Sequence, residues 1–341
     1  MKITISSMRC LLIISILSTT VFQLRAQHYP AGSEGIKCGS LPSSGFTFKD
    51  ENSFYFYDHT PGFGGQLNVL SGFNYMQTPS LTWMSDWKIL DANFGMAVRV
   101  PIEYMQLTHN ASAGSPLAPG SGTFPGLPPG SPPRSVTVSQ FGLSDIEVQP
   151  VLLSWHLNQI DFSTGYSFWA PTGEYNKNNE INYNLGQGYW THSFMLGITW
   201  YPDSEKTWAI SLLNHYDINT AQYNSLVVVP VSPAHPLGIA SEDTTLGDVY
   251  TLEWAVSKTV VKCLDIGVTG YYQQQVTDTE GPTFNGPTWK NEKIHVAGIG
   301  PEIRANSEKW GLSGSLRYAY EFSAMDHPQG NLITLTIVKS F

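Results

Sequence analysis

The sequence predicts an all-β fold: a closed, antiparallel, up-and-down transmembrane β-barrel of about twelve strands, with short periplasmic turns and long extracellular loops. Three observations predict it. Apolar and polar residues alternate with period two in segments that recur about every 25 residues through the chain. The connections between those segments are alternately short and long. Only 13% of the 341 residues are charged, while 13% are aromatic, so the surface is poor in charge and rich in rings, about half the charge usual for a soluble domain.

The first element is a secretory signal, Met1 to Ala26. Lys2 and Arg9 begin it, Cys10 to Phe22 is its apolar run, and Leu24-Arg25-Ala26 supplies a small residue before the cut. The run is too short to span a bilayer as a helix, and no other stretch is longer. Removing it takes three of the 18 basic residues and leaves 15 against 27 acidic ones. No basic cluster survives, which excludes nucleic acid as a partner.

Residues 27–45 come next: rich in Gly, Pro and Ser, without periodicity, and readable as an N-terminal periplasmic tail or as a plug in the lumen. The barrel occupies 46–341. Its strands are expected near 46–57, 66–80, 88–108, 137–155, 160–174, 189–201, 207–219, 245–258, 263–278, 290–304, 310–324 and 330–341. "HSFMLGITW" sets Phe194, Leu196, Ile198 and Trp200 against Ser193, Gly197 and Thr199, and "YTLEWAVS" sets Leu252, Trp254 and Val256 against Thr251, Glu253 and Ser257. Short turns are expected around Ser85-Asp86 and at "HLNQ", "YPDSEK", "TVVKCLD" and "ANSEK". Long connections are expected at "DHTPGFGG", His109 to Ser135, "TGEYNKNNEINYNLGQ", Asn219 to Thr244, "DTEGPTFNGP" and "MDHPQG". An even strand number returns both chain ends to the periplasmic side. The last strand must then pair with the first, and Phe341 ends it as the C-terminal signal for barrel assembly, with Lys339 on the same face close enough to the interface to snorkel.

If the apolar face meets lipid, the other face lines the lumen. Its charges are Arg99, Glu103, Asp145, Glu147, Glu253, Asp265, Arg317 and Glu321. They form either a constriction that filters solutes or an ion-pair network that fills the barrel. Twelve strands about 4.8 Å apart and tilted about 40° enclose a cylinder roughly 24 Å across, leaving roughly 12 Å between side chains.

Cys38 and Cys263 remain after processing in an oxidising compartment and could form a disulfide tethering the N-terminal segment; two free thiols is the simpler reading. Metal-binding motifs are absent, so neither metal nor cofactor is expected. His192 and Ser193 are adjacent and point to opposite faces, so they cannot form a nucleophile–base pair, and "GLSGS" (311–315) departs from the G-x-S-x-G elbow. Asp145 and Glu147 share a face at a spacing that suits a carboxylate pair, but lumen lining explains them without catalysis. The loop 110–135, with seven prolines and little charge, reads as flexible and exposed.

Several motifs resemble one family. "GLSDIEVQP" (142–150), "FWAPTGEY" (168–175), "LGQGYWTH" (185–192), "YPDSEKTWAIS" (201–211), "GDVYTLEWAVSKT" (247–259) and "SLRYAYEFSAMDHPQGNLITLTIVKSF" (315–341) are similar to the outer-membrane transporters named for the meta-pathway of phenol degradation. The opening "HYPAGSEGIKCGSLPSSGF" (28–46) is similar too. The resemblance implies an outer-membrane β-barrel passing aromatic or other hydrophobic compounds, and no catalytic residues. The 109–135 loop and Cys38 depart from the family pattern.

The expectation is therefore a non-enzymatic outer-membrane channel for passive uptake of small hydrophobic or aromatic solutes. Its partners would be outer-membrane lipid and, through the C-terminal strand, the barrel-assembly machinery. The alternatives are a structural or adhesive barrel with a filled lumen and, more remotely, an outer-membrane hydrolase.

Overall fold

The computed structural model describes residues 27–59, 70–111, 134–176, 184–229, 238–281, 293–325 and 327–341. The signal segment 1–26 and most of the long connections, including the proline-rich stretch, lie outside the described residues. The strands are β1 (Gly45–His59), β2 (Leu70–Ile89), β3 (Ala92–Arg99), β4 (Ile102–Ala111), β5 (Arg134–Leu143), β6 (Ile146–His156), β7 (Ile160–Ala170) and β8 (Thr191–Trp200). They continue with β9 (Trp208–Asn219), β10 (Ala221–Val229), β11 (Gly238–Thr245), β12 (Val249–Val261), β13 (Leu264–Gln275), β14 (His295–Ser307), β15 (Leu312–Met325) and β16 (Gln329–Ser340).

Neighbour follows neighbour in antiparallel register, and β1 pairs with both β2 and β16, so the sheet closes on itself. Closure leaves no strand edge in the hydrocarbon, where an unpaired amide would cost several kcal/mol. The seam ends with the Phe341 amide donating to the Phe46 carbonyl at 2.9 Å. β3 with β4, and β5 with β6, are two wall strands each broken once. The breaks fall at Val100-Pro101 and Ser144-Asp145 and lie side by side, the Ser144 amide donating to the Pro101 carbonyl at 3.0 Å. Proline has no amide for the ladder, so Pro101 accounts for the first break. Counting each broken strand once gives twelve wall strands. β10 and β11 form a separate hairpin beyond β9 and β12, where sequence reading left an irregular connection.

The burial pattern is the inverse of a soluble protein's. On β9, Ala209, Ser211, Leu213, His215 and Asp217 are buried, while Trp208, Ile210, Leu212, Tyr216 and Ile218 are exposed. The outward face is the one lipid covers. Aromatic rings band it at both ends: Trp83, Trp87 and Phe94 cluster at the periplasmic end, and Phe56 with Phe73, and Phe168 with Trp190, at the other. One expected turn moves. Ser85-Asp86 lie within β2, and the chain reverses at Leu90-Asp91, both with positive φ (52° and 65°). A register irregularity between Met84 and Lys88 absorbs the polar pair that suggested a turn.

Candidate functional site

Residues 27–44 run through the inside of the barrel. With no alternating pattern the segment cannot add a strand, so its backbone groups are satisfied by lumen side chains instead. His28 is buried, its Nδ1 2.6 Å from Thr191 Oγ1 and its Nε2 2.8 Å from Asp145 Oδ2. The Tyr29 hydroxyl donates to Glu253 at 2.9 Å, and its ring stacks on His215 with centroids 4.0 Å apart. Arg317 donates to the carbonyls of Gly32 (2.7 Å) and Ser33 (2.9 Å), and Glu302 accepts from the Ile36 amide at 2.8 Å. Toward the periplasmic rim Lys37 approaches Asp265 at 3.4 Å, Ser40 donates to Asp161 at 2.7 Å, and Ser163 donates to the Gly39 carbonyl at 2.9 Å.

Glu34 is the central contact. Its Oε1 lies 2.5 Å from Arg99 Nη2 and 2.6 Å from Lys49 Nζ. Burial alone would raise its carboxyl, but Lys49 and Arg99 outweigh burial and hold it down at about 2. Arg99 also reaches Glu147 at 3.4 Å, and Lys49 reaches Glu51 at 3.2 Å. Gly39 is required here for space: a Cβ at that position would sit 2.2–2.5 Å from backbone atoms of Ile198.

The segment divides the lumen into two compartments. On the outer side is a cavity of about 260 Å³ bounded by Tyr55, Tyr57, Met76, Met105, Leu107 and Trp169, with Glu103 at its wall. Toward the periplasm is a vestibule of about 580 Å³ lined with Lys37, Arg99, Glu302, Arg304 and Arg317. The first suits an aromatic ring: aromatic and apolar side chains and a polarisable thioether on each of two strands, with Asn74, Arg99, Gln273 and Glu321 among its polar groups. The second mixes those charges with apolar side chains, among them Leu41, Leu152, Met195 and Leu213.

Asp145 ties the outer compartment together at the strand break. Besides contacting His28 it accepts from the Gly173 amide (2.8 Å) and the Gln187 amide (2.7 Å), which draws these two residues of the connection after β7 inward. These contacts give the Asp145 carboxylate a structural role in holding the N-terminal segment and the connection after β7. Glu321 accepts from Tyr55 (2.6 Å), Tyr271 (2.8 Å) and the Gly330 amide (2.8 Å), away from the Arg99 cluster. Glu103 accepts from Asn74 at 2.7 Å.

Of the charges expected in the lumen, Arg99, Glu253, Asp265, Arg317 and Asp145 touch residues 27–44 directly, Glu147 acts through Arg99, and Glu103 and Glu321 do not touch it. Lys49, Glu51, Asp161, Asp217 and Glu302 were missed. In "TFKDENSF" charges fall on both faces of β1, which blurs the alternation, and β14 changes register between Ala297 and Gly298.

The disulfide left open by the sequence is not formed: both thiols are free. Cys38 Sγ sits 3.9 Å from the Glu253 carbonyl. Cys263 lies in the turn beyond β12, whose end at Val261 is already about 26 Å past Glu253 at about 3.3 Å per residue, whereas bridging needs Cα atoms within about 7 Å. The structure also shows a serine–histidine contact that adjacency in sequence concealed, Ser193 Oγ to His215 Nδ1 at 3.4 Å across β8 and β9, with Asp217 opposite Ser193. Ser193 is 1% exposed and Tyr29 roofs His215, so no ester can reach the hydroxyl in this arrangement.

The family model described as "Putative MetA-pathway of phenol degradation" matches residues 58–337. No curated protein matches. Among solved structures, the chain is similar to the COG4313 outer membrane channel from Pseudomonas putida F1, at 11% identity and a TM-score of 0.63, over 92% of this chain and 100% of that one. It also aligns with the Ralstonia pickettii toluene transporter TbuX, at 11% identity and a TM-score of 0.46, over 90% and 92% of the two chains. A Pseudomonas aeruginosa FadL homologue aligns at 11% identity and a TM-score of 0.41, over 90% and 93%.

Proposed function

Because this chain belongs to the family described as "Putative MetA-pathway of phenol degradation", we propose that it is an outer-membrane channel for passive uptake of small aromatic or similarly hydrophobic compounds. The observation that carries this reading is the cavity of about 260 Å³ walled by tyrosines, a tryptophan and two methionines, inside a closed barrel and above the threaded segment. A similar solved structure is named an outer membrane channel, in agreement with this reading. A ring of phenol size gains from apolar burial there at about 25 cal/mol per Å². Residues 27–45 act as the plug. Lys49, Arg99, Glu253, Glu302 and Arg317 hold it, and permeation requires it to shift. The chain is exported behind a cleaved signal, its terminal Phe341 is read by the assembly machinery, and it carries out no chemistry on its solute.

A second reading has its own observation in favour. The ion pairs around Glu34 are those of a lumen filled permanently, which would make the protein a structural barrel. One experiment separates the two: single-channel recording of the refolded mature protein, intact and with residues 27–45 deleted, with and without phenol or an alkylbenzene. Conductance steps that the aromatic compound blocks support the channel. Silence from both forms, together with no uptake of labelled phenol into liposomes, refutes it.

A further inference from the structure

Asp50, Asn52 and Gln77 stand out because they face the wrong way. On β1 the inward set is Thr47, Lys49, Glu51 and Ser53, and the outward set runs Phe46, Phe48, Asp50, Asn52, Phe54, Phe56. On β2 Asp50 pairs with Pro79 and Asn52 with Gln77. The outward face of this strand pair therefore reads, from the periplasmic end, two rings, a polar band, two rings. The band lies between the aromatic girdles, at the depth where hydrocarbon is thickest. An acidic group on the lipid side of a barrel is costly there.

The three side chains are already bonded to one another. Gln77 Nε2 donates to both Asp50 oxygens at 3.2 Å, Asn52 Nδ2 donates to Asp50 at 3.3 Å, and the Tyr75 hydroxyl donates to Asn52 Oδ1 at 2.8 Å. The network still carries a negative charge, and each amide has a second N–H to offer. A protein surface satisfies these groups and lipid does not.

We propose that this band is the contact between two copies of the chain, related by a two-fold axis along the membrane normal. The chemistry selects a second copy over a different partner. Across such an axis β1 of one protomer faces β2 of the other. Asn52 then meets the partner's Gln77, amide to amide, and Asp50 meets the partner's Pro79 with that Gln77 amide beside it. The patch is thus complementary to itself. A head-to-tail contact would need an outward-facing base at the same depth. Among the described residues the outward-facing strand lysines, Lys258 and Lys339, lie at the periplasmic rim against Trp208 and Phe341. Polar groups meeting in lipid fix both the depth and the register of the contact, which apolar faces alone do not. The inference is independent of what passes through the lumen.

The test is cross-linking in intact outer membranes. In a Cys38→Ser/Cys263→Ser background, Asn52→Cys is treated with a short bis-maleimide beside Leu212→Cys, which faces lipid on the other side of the barrel. The expected result is a covalent homodimer for Asn52→Cys, about tenfold more abundant than for Leu212→Cys. Native mass spectrometry of the wild type in mild detergent should show the dimer, and Asp50→Leu/Asn52→Leu/Gln77→Leu should shift it to monomer. Heat-modifiable gel mobility of the triple variant verifies that its barrel is folded. Equal cross-linking at both positions, a monomeric wild type, or a cross-linked product of another mass overturns the proposal.

Discussion

Replacing Glu34 by Gln should loosen the threaded segment without disturbing the barrel. The substitution keeps size and removes the one charge that joins Arg99 and Lys49 to residues 27–44. Neither base is orphaned, because Arg99 keeps Glu147 at 3.4 Å and Lys49 keeps Glu51 at 3.2 Å. The carboxyl falls from an ordinary 4.5 to about 2 when the segment is seated, which at about 1.4 kcal/mol per pH unit sets a ceiling of about 3 kcal/mol. The Glu34 side chain keeps 29% of its exposure, so solvent screening lowers this to about 1–2 kcal/mol, or roughly a 5- to 30-fold change in the unseated population. The assay is opening frequency in planar bilayers at neutral pH, where the variant should open more often by that factor. The sign with pH follows from linkage. A lowered carboxyl stabilises the seated state fully above its ordinary value and loses that effect as pH falls from 4.5 through about 2. Wild-type opening should therefore rise toward the variant's as pH is lowered to 3. Equal opening of the two proteins at neutral pH, with residues 27–44 equally protected from protease, would refute the reasoning.

Three further outcomes follow from the same geometry. Gly39→Val places a side chain against the Ile198 backbone, which cannot yield; the segment near Gly39 should become cleavable by added protease while the barrel keeps its heat-modifiable mobility. Met105→Trp fills the outer cavity and should cut aromatic uptake into liposomes by about tenfold, with much less effect on ion conductance after deletion of residues 27–45. Mass spectrometry under non-reducing conditions should find two free thiols, with exposed Cys263 alkylated much faster than half-buried Cys38.

The strands were legible because their pattern is local. Each alternating segment states its two faces over about ten residues, and aromatic residues at the ends mark the interfaces. Errors arose where a local pattern conflicts with itself. Ser85-Asp86 looks like a turn, but β2 carries it as an irregularity and reverses at Leu90-Asp91. Asp50 and Asn52 interrupt an aromatic face and hide the inward set Lys49, Glu51 and Ser53. The candidate site was legible as a list of inward charges and not as an arrangement.

The sequence by itself determined the class of fold, the number of wall strands, the closure of the last strand on the first, and which face of most strands meets lipid. All of these follow from a period of two and from the need to pair every amide within hydrocarbon. Only the tertiary structure decided where residues 27–44 lie and what they touch. Tyr29 meets Glu253, Ile36 meets Glu302 and Gly32 meets Arg317 across separations of more than 200 residues. A segment without periodicity carries no signal of its partners, because those partners converge on it only when twelve strands have closed around it.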